Sequence, residues 1–330
     1  MRRAGWFGAG AVAALSGLAA TIAPGGRTSA PAGADDGAVV VGERRRSRRM
    51  LDLTVHSPVI EQKQHVRLLL PPGWSPAADR TWPVLWLLHG EMDDYTAWTE
   101  NTDLAELTEG KELIVVMPDG GGCVSYTDWW NRGDAGKPKW ETFHLTELRQ
   151  ILERGYRAGS GRCVAGNSMG GLGAMSYAAR HRGMFRSAAS FSGALHTLYE
   201  NEAGLDAVDL HRLVTEVGCP GLDWRRIRGH PYAQRPIWRQ HNPFDLAAQL
   251  SNVGLYISAG SGRPGPLDAL PRDDDVVEAL MSTVGLMFAG KLSKRGIPAV
   301  THFYDGSHGW PYWERELHAA LPVLLDALDQ

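Results

Sequence analysis

Six largely apolar runs each end in a turn bearing glycine: PVLWLLHG (83–90), ELIVVMPDGGG (112–122), RCVAGNS (162–168, closed by Gly170), SAASFSG (187–193), VGLYISAGSG (253–262) and AVTHFYDGSHG (299–309). A strand with one wet face alternates apolar and polar residues, whereas a continuous run fits a parallel strand covered on both faces. Helical patterns lie between or after these runs, over 103–109, 142–155, 170–182, 275–295 and 311–327. Strands alternating with helices predict an α/β chain with a mostly parallel central sheet and helices on both faces. LDLTVHS (51–57) and HVRLLLPP (65–72) add two earlier strands, the second stopped by Pro71-Pro72. The segment 194–250 interrupts the alternation and holds several Trp, Pro and His residues. It is expected to form an excursion over the sheet edge, where a substrate-shaping cap would sit.

The start of the chain has a different texture. Arg2 and Arg3 precede an uncharged Ala/Gly/Leu-rich stretch, Ala4 to Ala23, and the small residues Ala32-Gly33-Ala34 follow. This order predicts a secretory signal peptide over 1–34, cleaved near Ala34. The competing reading is an uncleaved anchor, since about twenty apolar residues cross a bilayer; the stretch is weak in Leu, Ile and Phe. Removing Arg2, Arg3 and Arg27 takes the formal net charge from -3 to -6, which gives no indication of a nucleic-acid partner. Residues 35–50, with the basic run ERRRSRR, read as a linker, and 51–330 as one domain. The expected location is extracellular or the cell envelope, with no integral membrane segment after cleavage.

Three cysteines are present. Cys163 falls inside a strand and is expected to be a buried thiol. A Cys123–Cys219 disulfide is possible, although no spacing selects it. The cysteines and histidines show no metal-ligand spacing, so neither a metal nor a cofactor is expected.

The run RCVAGNS continues into Met169, Gly170 and Gly171, making Gly166-Asn167-Ser168-Met169-Gly170 a G-x-S-x-G sequence between a strand and a small-residue helix. A sharp strand-to-helix turn needs small residues because side chains there collide with backbone, and it leaves the serine hydroxyl clear. The helix N-terminus also favours negative charge through its free N–H groups and dipole. Ser168 is therefore the candidate nucleophile. A hydroxyl needs a base. Eight histidines follow Ser168: His181, His196, His211, His230, His241, His302, His308 and His318. His308 alone follows the last strand in a glycine-flanked loop, on the sheet edge that carries the serine turn. The acid should lie after VGLYISAGSG, where Asp268, Asp273, Asp274, Asp275 and Glu278 are candidates. The aspartates at 273–275 also have a plain role as helix caps. One oxyanion donor is the backbone N–H of Met169; the other belongs to the turn after WLLHG, at Glu91 or Met92.

WLLHG, SYTDWW, KWETF, GNSMGG and HGWPYW occur in the order of the secreted Antigen 85-type mycolyltransferases and the related esterase D-like hydrolases. The chain resembles that group over about residues 52–326. The resemblance implies the α/β-hydrolase fold and a Ser-Glu-His triad of Ser168, Glu278 (in VVEAL) and His308, with Glu91 and Met169 as oxyanion donors. Glu278 also falls in the first turn of the helical pattern at 276–292, which would hold a carboxylate more firmly than the Gly/Pro loop around Asp268. The turn after WLLHG is two residues shorter here, and His89 stands where the mycolyltransferases carry an aspartate associated with the sugar acceptor. The resemblance therefore implies the acyl-transfer machinery more than trehalose recognition.

The function expected is a secreted serine esterase or acyltransferase working through an acyl-serine. Its substrate would be a small-molecule or lipid ester. Water, or a sugar or glycerol hydroxyl, would release the acyl group. Trp98, Trp129, Trp130, Trp140 and Trp310 either line a groove or fill the core, with Trp129 and Trp310 the chosen substrate contacts. The reading from a different class is a non-catalytic binding protein on a hydrolase scaffold, which would be expected to lose Ser168 or His308.

Overall fold

The computed structural model describes residues 32–121, 123, 125–202 and 204–328. The expected leader over 1–34 lies almost wholly outside them. The strands are β1 (Val39–Arg45), β2 (Met50–Ser57), β3 (Gln62–Leu69), β4 (Trp82–Leu88), β5 (Ile114–Pro118), β6 (Ala158–Asn167), β7 (Ser187–Phe191), β8 (Gly254–Gly260) and β9 (Val300–Tyr304). They form one sheet in the order β1-β2-β3-β5-β4-β6-β7-β8-β9. The three pairings among β1, β2, β3 and β5 are antiparallel, and the remaining five are parallel. The mostly parallel sheet read from the apolar runs is the one observed.

The side-chain period of two sends alternate residues of each central strand to opposite faces. Val84, Trp86 and Leu88 join one core with Ile114, Val116, Val164 and Ala188. Leu85 and Leu87 join the other with Val115, Cys163, Ala165 and Ala189. Both faces are apolar because both are covered. The helix α1 (Met169–Arg180) packs Leu172, Met175 and Tyr177 into the first core. The last helix, Trp310–Asp326, packs Trp313, Leu317, Leu321 and Leu324 into the second.

Between them lie α2 (Ala207–Gly218) and α3 (Val276–Lys294), and Trp310–Asp326 is accordingly α4. The excursion over 194–250 contains α2 and the short helical turns Arg225–Arg228, Arg235–Arg239 and Pro243–Leu246. A disulfide joins Cys123, after β5, to Cys219 at the C-cap of α2, which fixes the excursion to the parallel sheet. Cys163 is free and buried, and burial pushes its thiol up to about 12.

The linker expected over 35–50 needs correction. Val39–Arg45 is the edge strand β1, paired with β2 from Val39↔His56 to Arg45↔Leu51. Only Val40 is buried along it, with Ala38 just before it, and its second half is charged, so composition alone reads as solvated chain. Charge on an edge strand discourages pairing with another molecule. The basic run is also partly structural. Arg49 donates to the carbonyls of Leu70, Ala105 and Thr108 at 3.0, 2.9 and 2.9 Å, and Arg46 pairs with Asp52 at 2.6 Å.

Candidate active site

Ser168 follows β6 directly and caps α1, with φ 52° and ψ −120°. Positive φ crowds an L-residue, and such strain persists only where the surroundings impose it. Here the imposing contact is the close approach of α1 to β4. A Cβ on Gly170 would lie 2.2 Å from the Leu88 carbonyl oxygen, and one on Gly166 would lie 2.4 Å from the Gly170 carbonyl carbon. The glycines admit that approach, and the Ser168 N–H is anchored on the Phe191 carbonyl at 2.8 Å.

His308 lies in the loop between β9 and α4. Its Nε2 is 2.9 Å from Ser168 Oγ, and its Nδ1 is 2.5 Å from Glu278 Oε2. Glu278 stands in the first turn of α3 and is fully buried. Its Oε1 accepts from Ser192 Oγ at 2.7 Å and from the Gly260 N–H. The Trp313 indole donates to Ser192 Oγ at 3.1 Å, and the Trp313 ring meets the His308 ring edge-on at 4.9 Å. With Nδ1 held by a carboxylate, the imidazole keeps its proton there and presents a lone pair to Ser168.

Two aspartates brace this arrangement without facing Ser168. Asp275 is the N-cap of α3; its Oδ1 accepts from the N–H groups of Val277 and Glu278, and its Oδ2 accepts from the His308 N–H, all at 3.1 Å. Burial works against its charge, but those hydrogen bonds and the neighbouring His308 and Arg272 hold its carboxyl below the ordinary value. Asp268 accepts from Ser307 Oγ, and from the Gly265 N–H at 2.8 Å and the Tyr312 hydroxyl at 2.9 Å. It fixes the residue beside His308. Asp273 and Asp274 are exposed.

Ser168 and His308 open into a cavity of about 170 Å³. Gly90, Glu91, Met92 and Asp93 form part of its rim, and Met169 lines it. A Cβ on Gly90 would sit 3.4 Å from Ser168 Cβ, so the turn after β4 presses directly on the serine. The apolar part of the cavity wall is Leu172, Leu210, Val214, Val277, Met281 and Val284. Leu210 and Val214 come from the excursion over 194–250, which is the cap-like role expected of that segment.

The Esterase family model matches residues 57–324. The chain belongs to the Esterase family. It is 32% identical over 255 residues to the esterase Rv1288 of Mycobacterium tuberculosis, covering 74% of this chain and 52% of that protein, so it spans about half the length of that relative. It is 31% identical over 257 residues to the diacylglycerol acyltransferase/mycolyltransferase Ag85B of Mycobacterium leprae, covering 74% of this chain and 76% of that one. Among solved structures, Mycobacterium tuberculosis MPT51 (FbpC1) superposes with a TM-score of 0.62 at 25% identity over 82% of this chain and 96% of its own. A ferulic acid esterase superposes with a TM-score of 0.63 at 23% identity, over 84% and 97%, a likeness of fold. The α/β-hydrolase fold and the family resemblance read from the motifs are thus those of this esterase-family chain.

Both expected substrate contacts lie outside the cavity lining. Trp129 is buried, donates to Ser125 Oγ at 3.0 Å and carries Arg226 over its ring. Trp310 packs edge-on against Trp98 and Trp313 at 5.1 and 5.2 Å. Neither lines the cavity; Trp313, three residues after Trp310 on α4, does. His89 is buried, with Nδ1 on the Gly90 carbonyl at 2.8 Å and Nε2 accepting from the Gly120 N–H at 2.9 Å. It shapes the turn. Of the histidines other than His308, His196 and His211 line the cavity. Ser192 and Gly260, which hold the far oxygen of Glu278, carry no signal in sequence beyond membership of a strand end.

Proposed function

We propose that this chain is a serine esterase that cleaves short-acyl carboxylic esters through an acyl-serine, with Ser168 as nucleophile, His308 as base and Glu278 as its orienting acid. The observation that carries the reading is the continuous contact from Ser168 Oγ through both ring nitrogens of His308 to the buried Glu278 carboxylate. In the first half-reaction Ser168 Oγ bonds to the ester carbonyl carbon while its proton passes to His308 Nε2. The carbon–oxygen bond to the alcohol then breaks, and His308 returns that proton to the leaving alkoxide. In the second half a water oxygen bonds to the acyl carbon and gives its proton to His308, and Ser168 leaves and is reprotonated. The backbone N–H groups of Glu91 and Met169 are the proposed donors to the oxyanion. Met169 is the first residue of α1, whose opening N–H groups have no intrahelical acceptor. Loss of one such donor costs roughly two to three orders of magnitude in rate.

The cavity supports a short acyl group. An engineered cavity of about 150 Å³ takes up benzene, and this one is of similar size. The second reading is acyl transfer to a sugar or glycerol hydroxyl, favoured by the relatives named as diacylglycerol acyltransferase/mycolyltransferase. Export is part of the proposal. The charged, apolar and small-residue order at the start supports it, as does the Cys123–Cys219 disulfide, since such bonds persist in oxidising compartments.

The test is labelling by a fluorophosphonate together with turnover of 4-nitrophenyl esters of increasing chain length, with and without trehalose or glycerol. The label should fall on Ser168 and vanish in Ser168→Ala, and short esters should be hydrolysed with little diversion to trehalose. An unlabelled Ser168 with no ester turnover would leave the non-catalytic binding reading. Diversion of most acyl flux to an added alcohol would make the protein a transferase.

A further inference from the structure

Besides the apolar wall and the polar residues Glu91, Asp93, His196 and Thr197, the cavity beside Ser168 is lined by two buried groups, Arg228 and His211, whose donors the proposed chemistry does not use. Arg228 ends the short helical turn Arg225–Arg228, where Gly229, at φ 78°, turns the chain away. Its side chain is buried at 2% exposure and lines the cavity. Its Nη2 donates to the Ser125 carbonyl at 3.0 Å, and the guanidinium lies 5.8 Å from the centroid of the Trp238 ring. Its Nε and Nη1 have no hydrogen-bond acceptor among the described residues. Glu141, the acid that acts on it through space, is already engaged by Arg180 at 2.9 Å and His181 at 2.6 Å. Burial pulls Arg228 down to about 10, which leaves it cationic at neutral pH.

His211, on α2, lines the same cavity and is also buried. Its ring is wedged edge-on against Trp238 at 5.4 Å and Trp224 at 6.2 Å. Its Nε2 likewise has no partner among the described residues. Burial, and then the Arg228 charge, push its pKa down to about 3, so the ring is neutral and can donate to an acceptor.

A buried cation with unused donors is costly unless something pairs with it. The group that fits is acceptor-only and anionic, a carboxylate whose two oxygens accept from the guanidinium and from the His211 ring. The apolar wall formed by Leu172, Leu210, Val214 and Met281 suits methylenes between that group and the ester. We propose that the cavity takes acyl groups ending in a carboxylate, bound by Arg228 and His211, so that the substrates are half-esters of dicarboxylic acids. This rests on the reading of Ser168 as the nucleophile and names the acyl group that reading leaves open.

The test uses the full chain and three matched pairs: the 4-nitrophenyl hydrogen esters of adipic, pimelic and suberic acid against 4-nitrophenyl hexanoate, heptanoate and octanoate. For at least one length the carboxylate ester should exceed its neutral partner by roughly tenfold or more in kcat/KM, the size of a charge-assisted hydrogen bond. Arg228→Met should abolish that ratio, each enzyme being normalised to its own neutral ester, and Arg228→Lys should keep part of it. If Arg228→Met does not fold, inhibition of the wild-type enzyme decides. Adipate should compete with 4-nitrophenyl hexanoate, and hexanamide should not. Turnover of the neutral esters with slower turnover of all three carboxylate esters, and no inhibition by adipate, overturns the proposal while leaving the esterase reading intact; the Arg228 donors would then be satisfied by water. Turnover of no ester of either kind overturns the Ser168 reading, and this proposal falls with it.

Discussion

Replacing Glu278 by glutamine keeps the shape of the side chain and removes its charge. Glu278 Oε1 accepts from Ser192 Oγ and the Gly260 N–H, while Oε2 faces His308 Nδ1. The amide oxygen must stay on the Ser192 and Gly260 side, because turning the NH₂ group there would leave a buried N–H unpaired at a cost of about 1–3 kcal/mol. The NH₂ group then faces His308 Nδ1, which must give up its proton. That proton moves to Nε2, 2.9 Å from Ser168 Oγ, and the ring is no longer a base. The imidazolium formed during reaction also loses its buried anionic partner, a loss of about 3–5 kcal/mol for a broken buried pair. Together these begin at about 4 kcal/mol, so kcat should fall by roughly three to four orders of magnitude. Asp268→Asn is the contrast. Asp268 holds Ser307, Gly265 and Tyr312 but not the His308 ring, and its loss should cost less than about tenfold. Both variants are purified, their folding confirmed by circular dichroism, and kcat measured on one activated ester. A Glu278→Gln enzyme keeping a tenth or more of its kcat, or a crippled Asp268→Asn enzyme, would refute the assignment.

Gly170→Ala places a Cβ 2.2 Å from the Leu88 carbonyl oxygen, and its denaturant midpoint should correspond to a loss of about 3 kcal/mol, the upper end for overpacking; an unchanged midpoint would mean that α1 moves freely off β4. Removing the disulfide in a Cys123→Ser, Cys219→Ser double variant opens a link across 96 residues and should cost about 2–5 kcal/mol, read by urea unfolding with and without reductant. Acid should destabilise the chain early. Burial holds His144 at about 4, and His211 and His241 at about 3. Because the unfolded chain takes up these protons near pH 6.5, stability is full above that pH and is lost as pH falls from there toward 3. At pH 5 the loss is on the order of 2 kcal/mol for each residue, and equal urea midpoints at pH 7 and pH 5 would contradict it.

Much of this molecule is readable before folding is considered. Apolar runs bounded by glycine mark β4 to β8 because a strand covered on both faces has no polar position to betray its period, while β9, the largely exposed edge strand, is marked by its apolar ends and the glycine loop after it. The small residues around Ser168 mark the turn because only they admit the approach of α1 to Leu88. His308 stands out by its place after the last strand, at the edge where parallel strands bring their carboxyl ends together. The choice among acids is open on residues alone. Asp268, Asp275 and Glu278 are all carboxylates within eleven positions of one another, and which one meets His308 depends on how α3 docks on β8. In the folded chain their roles diverge. Asp268 braces Ser307, Asp275 caps the helix, and Glu278 meets the imidazole.

Composition misreads Val39–Arg45 because this edge strand buries only Val40 and carries charge over its second half. It misplaces the tryptophans for a related reason. A large ring near a motif in sequence is drawn to whichever apolar surface is nearest in space: for Trp129 the protein's own interior, and for the half-buried Trp310 the rings of Trp98 and Trp313. Local sequence determined the strands, the serine turn and the identity of the groups able to do chemistry, because these depend on side-chain period and backbone sterics over a few residues. The cavity, with Arg228 and His211 inside it, was decided only by tertiary structure. Its wall is assembled from segments far apart in the chain, and nothing in any one of them encodes what the others leave unpaired.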